Sequence, residues 1–287
     1  MKNQRLRMLK RYLRAAIYYG PTRVLGSLLR PTSLAAHLRR LIREDSRPAM
    51  NLYPPSFSRE DEERFCGDLL GIPLERVREA FKEIDGDFTF SGFLAERYRR
   101  FRPDSPVGLH LGRFSVWYVL VRLSRPRVVL ETGVHDGLSS ALILHAMRRN
   151  GSGRLISIDL PSVDLPPQAE GPGWLVEDGL RPRWTLHLGD VRKLLPRLAL
   201  ENSPLDIFLH DSDHSREVQE FEYRTVLPHL GPHGLLVSDD AQADLINEIA
   251  GELSLRANFA MGAEPLARFA LGGIRLAGGP QGKTRSR

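Results

Sequence analysis

Residues 127–137 read Arg-Val-Val-Leu-Glu-Thr-Gly-Val-His-Asp-Gly, an apolar, β-rich run that ends in glycine and meets a second glycine four positions on. Pro126 closes the helix-like pattern of 112–124 just before this run, and a helical pattern over 138–149 follows it. A strand that turns through glycine into a helix is the opening unit of a parallel sheet. The rhythm continues downstream. Strand patterns at 154–159, 183–188, 205–210 and 234–238 are interleaved with helical patterns at 191–200 and 215–227, and a Pro/Gly-rich insert occupies 161–173. Such alternation predicts an α/β fold with right-handed crossovers. In sheets of this kind the ligand lies at the carboxyl ends of the strands, so the residues at those ends are the ones to read.

Gly133 and Gly137 allow a tight turn and close approach to a ligand, and the helix beyond offers unpaired N–H groups. The spacing is G-x-x-x-G, so the G-x-G-x-x-G dinucleotide fingerprint is absent. Glu131 adds a carboxylate that would repel a pyrophosphate and suits a ligand carrying a positive amine. The second strand ends in Asp159, where an acidic side chain meets ribose hydroxyls. The third ends in Asp190, which either faces an adenine amino group or caps the next helix. Together these acidic strand ends fit a nucleoside ligand without phosphates.

The fourth strand runs into His-Asp-Ser-Asp-His-Ser (210–215) and the fifth into Ser-Asp-Asp (238–240). Asp211 and the Asp239/Asp240 pair therefore stand at neighbouring strand ends, where like carboxylates raise one another's pKa unless a cation neutralises them. Oxygen-only ligands favour a hard ion such as Mg²⁺. His214 is a candidate general base. The competing reading makes Asp213 or Ser215 a helix cap and His214 a surface residue.

These residues together resemble the class I S-adenosylmethionine-dependent methyltransferases, in particular metal-dependent O-methyltransferases of the catechol, caffeoyl-CoA and macrocin types. The resemblance covers about residues 106–277. It implies a doubly wound, mostly parallel, seven-stranded Rossmann-like sheet whose last strands lie within about 254–277. It also implies that Glu131, Gly133, Gly137, Ser139 and Asp159 line the methionine and ribose part of the S-adenosylmethionine site and that Asp190 lines the adenine. Asp211, Asp239 and Asp240 fall at the three metal-ligand positions. The sequence departs from the catechol and caffeoyl types at His214, where they carry a lysine, and at Asp240, where they carry asparagine.

Outside this region the chain is less informative. Its 287 residues have 41% hydrophobic and 26% charged residues, a globular composition, and the single cysteine, Cys66, excludes an intrachain disulfide and a Cys-based zinc cluster. The net charge of +6 is not evenly spread. Residues 1–50 carry 12 Lys/Arg against Glu44 and Asp45, whereas the remaining 237 carry 29 against 33 Asp/Glu. That weighs against nucleic acid as the main partner and leaves a local role for a basic helix over 1–19. A solvated appendage is the favoured reading of that helix; contact with an anionic membrane surface, RNA or an acidic partner surface and pairing of two copies are the alternatives. A second helical pattern lies at 34–42, a Pro-rich linker at 46–58, and further helices at 59–70 and 74–84. The expected organisation is a basic helical region (1–105), a catalytic domain (106–278) and a flexible basic tail (279–287). No secretory signal core or membrane-spanning run is recognisable, so a cytoplasmic enzyme, in contact with a membrane at most peripherally, is expected.

The expected activity is metal-assisted O-methylation of a small-molecule hydroxyl, such as that of a sugar, a polyketide or another biosynthetic intermediate, with Asp211 and His214 in the catalytic centre. A metal-independent methyltransferase is the nearest alternative. An RNA-modifying enzyme is disfavoured because the fourth strand lacks the Asn/Asp-Pro-Pro-aromatic motif, and a nicotinamide oxidoreductase because the dinucleotide fingerprint is missing.

Overall fold

A computed structural model describes residues 58–103, 109, 111–161, 165, 166, 168–261 and 270–277. Three helices come first, α1 (Arg59–Leu70), α2 (Leu74–Asp85) and α3 (Phe88–Phe101). A 3₁₀ turn, Gly112–Phe114, leads into α4 (Ser115–Ser124), β1 (Val128–Thr132) and α5 (Leu138–Asn150). Then follow β2 (Arg154–Asp159), β3 (Trp184–Leu188), α6 (Val191–Glu201), β4 (Leu205–His210) and α7 (Arg216–Val226). The last elements are β5 (Leu230–Ser238), α8 (Ala243–Glu252), β6 (Ala257–Met261) and β7 (Ala270–Arg275).

The strands form one seven-stranded sheet in the order β3-β2-β1-β4-β5-β7-β6. Pairing is parallel from β3 through β5, and only β7 runs antiparallel to both of its neighbours. This is the doubly wound, mostly parallel sheet expected from the sequence. β1 lies at its centre, with crossovers leading away on both sides, so its carboxyl end is the switch point.

Local chemistry sets the helix ends. Ser58 and Asp61 form a capping box at the start of α1, the Ser58 hydroxyl accepting from the Asp61 N–H at 3.1 Å. Gly71, with φ of 64°, ends the same helix in the left-handed region. The sequence pattern does not announce α3 or α8. The first turns of α3 hold Thr89, Phe90, Ser91 and Gly92, poor helix formers, and burial of Phe90 and Leu94 supplies what propensity does not.

Period-two alternation along the strands divides the core between the two sheet faces. Val129, Ile207, Leu209 and Val237 pack on one side with Trp117 and Leu120 of α4 and Leu142 of α5. Leu130, Phe208 and Leu236 pack on the other with Leu198 of α6, Val226 of α7 and Ile249 of α8. Phe65, Leu69, Val77 and Phe81 from α1 and α2 belong to the first cluster. Arg275 of β7 also donates to the Leu70 carbonyl. The division expected near residue 105 is therefore not a break in the packing, because the helices of 59–101 complete the core of the sheet. The helices expected at 1–19 and 34–42, most of the 46–58 linker and the tail at 279–287 lie outside the described residues. Among the described residues no helix is long and apolar enough to cross a membrane.

One buried charge in this N-terminal layer makes stability pH-dependent. Glu62 is 5% exposed and accepts from Arg59 Nη1 at 2.9 Å. Burial pushes its carboxyl up from the ordinary 4.5 to about 7, with Arg59 opposing. A carboxyl with a raised folded-state pKa favours folding while protonated, so its contribution is present below about pH 4.5 and is lost as pH rises through 7. Glu62→Gln stays neutral and still accepts from Arg59. It is expected to gain about 1–3 kcal/mol over the wild type at about pH 8.5 and nothing near pH 4, as read by urea unfolding at both pH values.

Candidate active site

The parallel ladder continues past the strand ends. The Gly133 N–H donates to the Ile158 carbonyl at 2.9 Å, the Asp211 N–H to the Thr132 carbonyl at 2.8 Å and the Asp239 N–H to the His210 carbonyl at 2.9 Å. These bonds deliver the ends of β1, β4 and β5 side by side. Gly133 has φ of 85°, and a Cβ there would lie 1.9 Å from the Asp211 carbonyl oxygen. Gly137 has φ of 91°, and a Cβ on it would come within 2.5 Å of the Gly173 Cα. The first glycine lets the β1 loop touch β4; the second lets the insert lie on the loop.

The loop is clasped from outside. The Gly173 and Leu175 N–H groups donate to the carbonyls of His135 and Asp136 at 2.8 and 2.9 Å. Trp174 Nε1 and Arg102 Nη2 donate to the Asp136 carboxylate at 2.7 and 2.8 Å. Asp159, at the end of β2 as expected, holds the loop from beneath. It accepts from the His135 N–H at 2.8 Å and the Leu160 N–H at 2.7 Å. Burial raises the Asp159 pKa, and these amides oppose the rise.

One expected contact is relocated. Glu131 shares its sheet face with Val129, beneath α5, and is wholly buried. Its carboxylate accepts from the hydroxyls of Ser139, Ser140 and Ser157 at 2.7, 2.6 and 2.7 Å. Burial raises its pKa, and the three hydroxyls lower it. Glu131 and Ser139 therefore satisfy one another under the loop instead of facing a ligand's amine. Asp190 stands at the end of β3 and caps α6, accepting from the Arg192 N–H at 2.9 Å.

The acidic cluster is assembled as its placement on β4 and β5 requires. Burial first, and then the neighbouring Asp239 carboxylate, push the Asp211 pKa well above the usual carboxylate range. Asp239 is 2% exposed. Its carboxyl is pushed up to about 6 by burial, against the lowering effect of Arg113. Arg113, from the 3₁₀ turn before α4, donates through Nη2 to Asp239 at 2.7 Å and through Nη1 to Asp240 at 3.3 Å. His214 Nε2 lies 3.6 Å from Asp240 Oδ2. Burial lowers the His214 pKa, with Asp240 opposing. That favours the neutral imidazole, the form able to accept a proton. Asp213 accepts from the Ser215 N–H at 2.8 Å, a turn just before α7, and Ser215 is the N-cap of that helix without a side-chain capping bond.

The three carboxylates stand together just beyond β4 and β5. Two of them are engaged by a guanidinium, and among the described residues no three His, Cys, Asp or Glu side chains are grouped to hold a metal. The sequence held no signal for Arg113, which lies more than 120 positions from its partners.

A second buried network supports β4. Glu222 accepts from Thr132 Oγ1 at 2.5 Å, His210 Nδ1 at 2.7 Å and Ser212 Oγ at 2.6 Å. Here a signal did exist, because Glu222 shares the buried stripe of α7 with Gln219, Tyr223 and Val226. Gln219 Nε2 donates to the Asp240 carbonyl at 2.9 Å, holding the left-handed Asp240 (φ 46°) in place.

Residues 130–241 match a family model described as a methyltransferase domain. The match begins in β1, ends just after Asp240 and so contains every strand-end residue above. Residues 130–241 thus carry a methyltransferase domain, built on the central strands of the doubly wound sheet. Among solved structures it is similar to the O-methyltransferase TomG from Streptomyces achromogenes, involved in tomaymycin synthesis, in complex with S-adenosylmethionine. That similarity is at 20% identity, covering 67% of this chain and 91% of the other, with a TM-score of 0.48. It is also similar to an O-methyltransferase from Bacillus cereus in complex with S-adenosylhomocysteine (14% identity, 64% and 90% covered, TM-score 0.47). A third similarity is to the MycE methyltransferase of the mycinamycin biosynthetic pathway, in complex with Mg and S-adenosylhomocysteine (17% identity, 67% and 57% covered, TM-score 0.44). No curated protein matches the sequence significantly.

The Gly133–Asp211 approach is backbone against backbone and cannot be relieved by a rotamer change. Gly133→Ala is expected to cost about 3 kcal/mol or more in urea unfolding. Gly171→Ala, where a Cβ meets nothing within 4 Å, should stay within roughly 0.5 kcal/mol of the wild type.

Proposed function

We propose that the protein transfers the methyl group of S-adenosylmethionine to a hydroxyl oxygen of a small-molecule acceptor. One observation carries the reading: His214 stands beside Asp240, and the β4 loop that bears it is in backbone contact with the glycine loop at Gly133. A hydroxyl must lose its proton as it attacks, and this arrangement pairs a proton acceptor with the cofactor loop. The acidic balance of the main body favours a small acceptor over nucleic acid.

S-adenosylmethionine supplies an electrophilic methyl on a sulfonium sulfur. The chain's residues fit it: the loop 133–137 turns at two left-handed glycines into the amino end of α5, and Asp159 and Asp190 end the flanking strands. The loop would hold the methionine portion, Asp159 the ribose and Asp190 the adenine. Asp136, Trp174 and Arg102 fix the loop and exclude water from its outer side. The His214 imidazole would take the proton that the acceptor hydroxyl gives up, and S-adenosylmethionine would supply the methyl group and leave as S-adenosylhomocysteine. Asp240, 3.6 Å from His214 Nε2, would stabilise the imidazolium by its charge. Much of the acceleration comes from holding oxygen, methyl carbon and sulfur in line. Arg113 engages Asp239 and Asp240 and balances their charge from within the chain.

Two variants separate binding from chemistry. Asp159→Ala should weaken S-adenosylmethionine binding by about 1–3 kcal/mol in calorimetry, through both the lost ribose contact and the freed His135 amide. Unchanged affinity would remove Asp159 from the ribose site. His214→Ala should keep cofactor affinity and lower kcat by ~10²–10⁴, measured as S-adenosylhomocysteine released in a screen of hydroxylated acceptors. An unaltered rate with any accepted substrate would return His214 to the surface.

A further inference from the structure

Carboxylates buried side by side need a cation, and the sequence nominates a divalent ion for Asp211, Asp239 and Asp240. The structure places Arg113 there. Its side chain is 16% exposed, and those of Asp239 and Asp240 are 3% and 15% exposed. One guanidinium reaches both carboxylates through separate N–H groups, at 2.7 and 3.3 Å, and its fork spans the pair as a point charge could not. The positioning is not incidental to the turn, since the 3₁₀ turn at Gly112–Phe114 leads directly into α4, whose Trp117 and Tyr118 are locked in the core.

We propose that Arg113 is the resident cation of this site and takes the place the sequence assigns to Mg²⁺, so that Asp239 and Asp240 bind no divalent ion while it is present. Mg²⁺ demands six oxygen ligands at about 2.0–2.1 Å and repels a guanidinium held on the same carboxylates. Arginine keeps its charge at every accessible pH, so acidity does not vacate the position. The inference deepens the proposed function and rests on its reading of the acidic cluster as the acceptor side of the site. If it holds, the acceptor meets a fixed cation whose position is set by α4, and the enzyme needs no metal to balance its buried charge.

The test is a calorimetric titration of the full-length protein, after dialysis against EDTA, with Mn²⁺ alone and with Mg²⁺ alone. The wild type is expected to show no saturable binding of either ion up to millimolar concentration. Arg113→Met should acquire a one-to-one site, with an affinity gain of at least about tenfold. The double variant Arg113→Met/Asp239→Asn should lose that site. Stoichiometric Mn²⁺ binding by the wild type, abolished by Asp239→Asn, would overturn the proposal. So would an Arg113→Met protein that retains S-adenosylmethionine affinity, and hence its fold, yet gains no Mn²⁺ site. Should Arg113→Met fail to fold, Arg113→Lys replaces it, with a smaller gain expected because one ammonium cannot span both carboxylates; no gain would overturn the proposal. S-adenosylmethionine binding by the wild type is recorded in the same experiment. Its absence would count against the proposed function while leaving the metal result to judge Arg113.

Discussion

Three backbone hydrogen bonds at the carboxyl edge of the sheet set the geometry on which the site depends: Gly133 to Ile158, Asp211 to Thr132, and Asp239 to His210. They extend the parallel ladder one residue beyond β1, β4 and β5, so the chain cannot splay before the site residues are in position. The cost is steric. At Gly133 the β1 loop lies so close to the Asp211 carbonyl that no side chain fits. Glycine at that position is thus a packing requirement whatever the loop binds.

The ladder also gathers an unusual amount of charge into a dry place, and each buried carboxylate is balanced differently. Glu131 is solvated by three serine hydroxyls. Glu222 is met by threonine, histidine and serine. Asp239 and Asp240 share a guanidinium. Neutral donors and a fixed cation differ in what they leave available. The serines stabilise Glu131 as part of the scaffold, whereas the arginine places a fixed positive charge on Asp239 and Asp240 at the end of β5. Buried polar groups without such partners would cost several kcal/mol each, so these networks are conditions for folding as well as for chemistry.

The helices before the sheet belong to the same economy. α1 and α2 cover one face with Phe65, Leu69 and Phe81, and the end of α3 places Arg102 on the Asp136 side chain of the loop after β1. These three helices are a layer of the core, and the residue after α3 reaches the β1 loop.

From the sequence alone, the α/β class, the β1 loop and its glycines, the strand ends at Asp159, Asp190, Asp211 and Asp239, and the place of His214 could be read. All of these depend on local rules: period-two strands, glycine turns and the position of a residue relative to the end of its own strand. The direction of Glu131, the clasp of Trp174 and Arg102 on Asp136, and the pairing of Arg113 with Asp239 and Asp240 were decided by tertiary structure. Glu131 is turned inward by the sheet pleat under α5, which no strand-end rule anticipates. The other two join positions 34 to 127 residues apart, and contacts at such separations leave no periodicity in the chain. Sequence thus determined which charges come to the edge of the sheet. Only the packing of α3, α4 and the insert decided what neutralises them, because a counter-charge is chosen by proximity in space and not by spacing along the chain.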